Sequence, residues 1–127
     1  MFPSQTFTFR PARCSATARG LSPATLKNTV AVLRDGLAAM DKVTLYGNAR
    51  RRTATAFFNV AGLSPRAVAE HLAARRVNVW DGDNYAWELV GVLGIRDTGS
   101  AIRAGLVHYN DRSDVDRLLA AVAELAG

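Results

Sequence analysis

Arg103 is the one charged side chain in the stretch Ala101-Ile102-Arg103-Ala104-Gly105-Leu106-Val107-His108-Tyr109-Asn110. A planar guanidinium can hold a carboxylate through two parallel hydrogen bonds, which an ammonium cannot. Anion recognition is therefore the chemistry this position offers. For amine chemistry the chain has only Lys27 and Lys42, and for thiol chemistry only Cys14. Lys27 falls in a predicted helix and Lys42 in a predicted turn, so both read as solvated lysines. His71, His108, Asp81, Asp83 and Asp97 are the residues a metal could use, but their spacing matches no metal-ligand pattern. Local roles are expected instead: His71 on a helix surface, His108 in a strand, Asp81 in a turn, and Asp83 as a helix cap. No metal site is expected. Trp80, Tyr85 and Trp87 are expected to pack in a core or against another domain rather than to form a recognition surface.

The elements that must position Arg103 follow from periodicity. With side chains alternating along a strand, Ile102, Ala104, Leu106 and His108 share one face and Arg103, Gly105, Val107 and Tyr109 the other. Asp111 then caps a helix whose stripe is Val115, Leu118, Leu119, Val122 and Leu125. Upstream, Ser22-Pro23 opens a helix with Leu26, Val30, Leu33, Leu37 and Met40 on one stripe, ending near Met40. Val43 to Tyr46 and Thr53 to Val60 read as neighbouring antiparallel strands, broken by Gly47-Asn48 and by Gly62. Ser64-Pro65 starts a second helix, reaching about Arg75. Val77 to Trp80 reads as a third strand closed by Asp81-Gly82, and Asp83 as the cap of a short helix striped by Tyr85, Leu89 and Val92. The order αββαβαβα, with few helices, predicts an α+β fold. Its small antiparallel-rich sheet of about four strands carries helices on one face.

Composition narrows the function classes. The chain has 127 residues, enough for one domain with a buried core. No apolar run approaches the roughly 18 residues that span a bilayer, so no membrane partner is expected. A single cysteine cannot form an internal disulfide, which fits a reducing, cytoplasmic setting. The net charge of +5 concentrates in the first part of the chain. Arg10, Arg13, Arg19, Lys27 and Arg34 all precede Asp35, the first acidic residue. The one basic cluster beyond them, Arg50-Arg51-Arg52, has no interleaved aromatics, so no nucleic-acid partner is expected either. Residues 1-21 form a disordered or non-homologous leader, an import leader being the other reading of their Ser, Thr, Arg and Pro content.

Arg103 to Asn110 ahead of Asp114-Val-Asp-Arg-Leu-Leu119 resembles the end of the class V aminotransferases, the pyridoxal-phosphate (PLP) enzymes that include cysteine desulfurases. Val43-Thr-Leu-Tyr-Gly47, Arg52-Thr-Ala-Thr-Ala-Phe57, Ser64-Pro65 and Asn78-Val-Trp-Asp-Gly-Asp83 resemble the same family's small C-terminal domain, in its order and spacing. The resemblance assigns residues 22-127 to that PLP fold-type I C-terminal domain. It implies that Arg103 binds the α-carboxylate of an amino-acid substrate, and that PLP is held in intact relatives by a large domain. Neither Lys27 nor Lys42 has the setting of the family's Schiff-base lysine, and no cysteine lies between Trp80 and Ile102, where true desulfurases carry theirs. No catalytic or cofactor-binding residue is expected in this chain alone. The expected function is that of a truncated, cysteine desulfurase-like small domain, inactive alone and partnered by a separately encoded large domain or by a second copy. A non-catalytic interaction or oligomerisation module is the alternative. Lys42 and Arg76 stand where the family usually has glycine, at a cost of about 1 kcal/mol each if those turns need left-handed backbone.

Overall fold

The computed structural model describes residues 23–107 and 109–127. The leader at 1-21, Cys14, the Ser22 cap and His108 lie outside the described residues. The elements run α1 (Pro23–Ala38), β1 (Val43–Tyr46), β2 (Thr55–Val60), α2 (Pro65–Ala74), β3 (Trp80–Gly82), α3 (Trp87–Val92), β4 (Ala101–Gly105) and α4 (Arg112–Ala126), with a 3-10 turn at Arg96–Thr98 before β4. The strands form one sheet in the order β1-β2-β4-β3, and every neighbouring pair is antiparallel. This is the expected α+β architecture.

Alternation decides which side of the sheet is core. Ala56, Phe58 and Val60 of β2 and Ile102 and Ala104 of β4 are buried. They meet Leu33 and Leu37 of α1, Val68 and Leu72 of α2, and Val115, Leu118 and Val122 of α4 in one apolar cluster. Each fully buried aliphatic or aromatic side chain contributes about 1.5–3 kcal/mol of transfer free energy. Helices α1 and α4 approach closely because Gly36 lacks a side chain, and a Cβ there would stand 2.6 Å from Leu119 Cδ1. Thus α1, α2 and α4 cover one face. The short α3 stands apart from them and borders the opposite face.

Helix starts follow their sequence signals. Ser64 accepts a hydrogen bond from the Ala67 amide with Pro65 just behind it, and Asp111 caps α4 through a reciprocal box with Asp114. Asn110, buried at the β4–α4 junction, accepts from the Val107 amide at 2.9 Å and donates to Asp114 Oδ2 at 3.1 Å. That double bond locks the turn between the sheet and the helix.

Three local expectations are corrected. The third strand is Trp80–Gly82 instead of Val77 to Trp80, because only Trp80, Asp81 and Gly82 find ladder partners on β4. Val77 and Val79 are buried in the core ahead of it. Asp83 does not cap α3: its carboxylate accepts from the Tyr85 amide, and α3 starts later, after Ala86, with no side-chain cap. Of the expected stripe, Tyr85 and Val92 point outward at 95% and 85% exposure, Leu89 at 51% borders a cleft on the sheet, and Val90 is the buried residue.

Candidate functional site

One row of residues crosses the sheet face turned away from α1, α2 and α4. Tyr46 pairs with Phe57, Phe57 with Arg103, and Arg103 with Trp80, so β1, β2, β4 and β3 each place one side chain on it. The neighbouring row, through Leu45, Phe58, Ile102 and Asp81, faces the helices, and Asp81 there meets Arg66 of α2 at 3.4 Å. Arg103 is exposed on its row, and no hydrogen bond or ion pair to it occurs among the described residues. An arginine left without a partner keeps all five donors for a ligand.

The Arg103 side chain lines a cleft of about 750 Å³. Tyr46, Phe57 and Thr55 form its sheet side, and Asn84, Ala86, Leu89 and Leu93 close it from the α3 side. The Tyr46 and Phe57 rings lie 5.8 Å apart at 55°. Asn59 anchors this wall, donating to the Ser100 carbonyl at 2.7 Å and reaching the Tyr46 hydroxyl at 3.4 Å. The opposite wall is set by Arg96. Its guanidinium lies 3.9 Å from the Trp87 ring centre and donates to the Trp87 carbonyl at 2.5 Å. Gly91 leaves room for it, since a Cβ there would stand 2.3 Å from Arg96 Nη2. Neither Asn59 nor Arg96 stands out in the sequence; only the fold shows what they hold.

The other chemistry-bearing residues are dispersed. Lys27 lines a separate cleft of about 510 Å³ with Leu26, Val30 and Arg50 to Thr53, between α1 and the β1–β2 loop. Lys42 donates to the Gly127 carbonyl at 3.3 Å. The Arg103 cleft is lined by no lysine, so the described residues supply no Schiff-base amine beside Arg103 and do not by themselves fit PLP. His71 sits between α2 and α4, with Nε2 at 3.1 Å from the Ala121 carbonyl and 3.3 Å from Glu124 Oε2. The Glu124 carboxyl is held below the usual range, first by its hydrogen bond from Arg75 and further by His71. Asp97 lies in the 3-10 turn. Among the described residues no group of three or more His, Cys, Asp or Glu side chains converges as a metal site would. Tyr85 and Trp87, 95% and 55% exposed, pack in no core of the described residues, which removes the core half of their expected roles and leaves contact with another domain.

The sheet thus carries helices on one face and, in a cleft on the other, an arginine without a hydrogen-bond or ion-pair partner among the described residues. The comparisons place this fold in a family. The family model described as Aminotransferase class-V matches residues 22–118, and the chain belongs to that family. An aminotransferase-like protein, FGM3 of Gibberella zeae, is 33% identical over 92 residues, covering 68% of this chain and 23% of that protein. A cysteine desulfurase from Thermococcus onnurineus NA1 superposes with a TM-score of 0.74 at 27% identity, covering 81% of this chain and 25% of that one. The cysteine desulfurase CsdA of Escherichia coli gives 0.69 at 24% identity, covering 80% and 24%, and so speaks for the fold alone. The chain spans about a quarter of the length of these proteins. A further solved neighbour, a mutant of C-DES, is described with glycine covalently linked to its PLP cofactor, and at 20% identity it too speaks for the fold alone. No helix of the described residues is long and apolar enough to cross a membrane.

Proposed function

We propose that this chain is the substrate-carboxylate-binding small domain of a cysteine desulfurase-like PLP enzyme, with Arg103 gripping the α-carboxylate of an amino acid. The observation that carries the reading is the Arg103 guanidinium, without a hydrogen-bond or ion-pair partner among the described residues, in a cleft on the sheet face that α1, α2 and α4 leave uncovered. Cofactor chemistry then belongs to a large domain outside these 127 residues, or to a complex involving a second copy, and the chain is inactive alone. Its setting is cytoplasmic, in keeping with the single cysteine of the sequence. Desulfurase activity is not part of the proposal, because no cysteine lies between Trp80 and Ile102.

The test is spectroscopic. Mixed with PLP alone, the chain gives no visible absorbance that depends on a lysine. A band formed by the chain alone and lost in Lys27→Ala or Lys42→Ala would overturn the reading. The second reading, an interaction module, draws on the outward Tyr85, Trp87, Leu89 and Val92. It predicts self-association that Leu89→Ser and Val92→Ser abolish, where the first reading predicts no effect of Val92→Ser on carboxylate binding.

A further inference from the structure

Among the described residues the cleft carries no charged side chain apart from Arg103, and its walls are mainly apolar. Tyr46 and Phe57 present a tilted ring pair on the sheet side, and Leu89 and Leu93 face them from α3. The cleft volume of about 750 Å³ falls within the range of small-molecule sites, about 300–1,000 Å³. Both walls are braced, by Asn59 behind Tyr46 and by Arg96 clamped on Trp87, so the space between them is defined by fixed elements.

We infer that the ligand of this cleft is a monocarboxylate with a bulky apolar body: an amino acid with an aromatic or large aliphatic side chain rather than a small polar one. The inference rests on the reading of Arg103 as the carboxylate site. The guanidinium takes the carboxylate, and the body lies between the Tyr46–Phe57 rings and the two leucines, where each apolar atom removed from water adds binding energy. A small polar side chain would leave that volume to water, and a second carboxylate would find no cation there. A cationic side chain would meet Arg103 with no acidic residue in the lining to offset it.

The experiment titrates the isotope-labelled full chain by NMR with 3-phenylpropanoate, propanoate and 3-phenylpropanamide, none of which carries an amine that needs a cofactor. 3-Phenylpropanoate is expected to bind at least tenfold tighter than propanoate and at least tenfold tighter than the amide, shifting the signals of Phe57, Leu89, Leu93 and Arg103. Arg103→Gln removes the advantage over the amide, and Leu89→Ser shrinks the advantage over propanoate, with spectral dispersion confirming that both variants fold. Equal affinity for the two acids, each weakened by Arg103→Gln, would overturn the apolar-body inference and leave the carboxylate site standing. An undiminished phenyl advantage in Leu89→Ser would overturn the placement against α3. Affinities indifferent to Arg103→Gln would overturn both the inference and the reading beneath it.

Discussion

Arg103 stands directly opposite Phe57 in the β2–β4 ladder, a cation beside an aromatic ring on the face that α1, α2 and α4 leave free. Its neighbours along the strand, Ile102 and Ala104, are buried on the helix side, so the charge is presented without being part of the core. An exposed cation with no partner contributes little to folding. Arg103→Leu is therefore expected to change stability by no more than about 0.5 kcal/mol, and in either direction. Urea unfolding of the two proteins checks this. A loss of several kilocalories would show that Arg103 is structural and would weaken its assignment as a ligand site.

Arg96 is expected to govern the position of α3. Stacking on Trp87 and hydrogen bonding to its carbonyl join the helix to the 3-10 turn, and such a cation–ring contact is worth about 0.5–1 kcal/mol when partly exposed. Arg96→Ala should speed amide exchange at Val90 and Leu93 while β2 and β4 stay protected. Gly91→Ala should do the same by a different route, because the added methyl occupies the guanidinium's place. Unchanged exchange in both variants would mean that α3 is held by other contacts.

Most of the architecture was legible because period and punctuation agree along this chain. The alternation of half-buried and buried positions along Thr55–Val60 follows its alternating residues, and Ser64-Pro65 and Asp111 mark their helix starts as written. Periodicity failed where it cannot act. Val77 and Val79 alternate like a strand, but ladder partners exist only from Trp80 onward. Of Tyr85, Leu89 and Val92 only the last two lie in α3, because the chain is left-handed at Tyr85 and the helix starts after Ala86. Spacing alone cannot say whether a helical face meets the core or the solvent. At the candidate site, the place of Arg103 on the face away from Ile102 and Ala104 was readable from strand alternation. Its surroundings were not, since Tyr46, Phe57, Leu89 and Leu93 come from three other elements and meet only through the register.

Arg76 holds a left-handed backbone, φ 62°, at the end of the turn that follows α2, whereas Lys42 is not among the positive-φ residues. Of the two positions where glycine was the family's usual choice, only one therefore carries strain. A non-glycine residue in that conformation costs about 1 kcal/mol. Arg76→Gly is expected to raise the denaturant midpoint, by somewhat less than that cost because glycine also loosens the unfolded chain. Lys42→Gly, lacking the strain relief, is expected to lower it. The reverse order would remove the backbone explanation.

The acid end of the stability curve should report on the cap of α4. Asp111 accepts from the Ser113 hydroxyl at 2.6 Å and from the Asp114 amide at 3.2 Å. The Ser113 hydrogen bond above all, helped by backbone donors and the charge of Arg117, holds the carboxyl below its ordinary value of 3.8 against some opposing desolvation. A carboxyl whose folded pKa is depressed stabilises the fold fully above the unfolded pKa, and that contribution disappears as pH falls through the folded value. Asp111→Asn keeps a capping oxygen but has no charge to lose. The wild-type chain should therefore exceed the variant in stability near neutral pH, and the gap should narrow below pH 3.8 and close under the folded pKa. Urea midpoints measured for both proteins across that range would decide it. A gap independent of pH would assign the cap's contribution to hydrogen-bond geometry alone, with the charge of Asp111 playing no part.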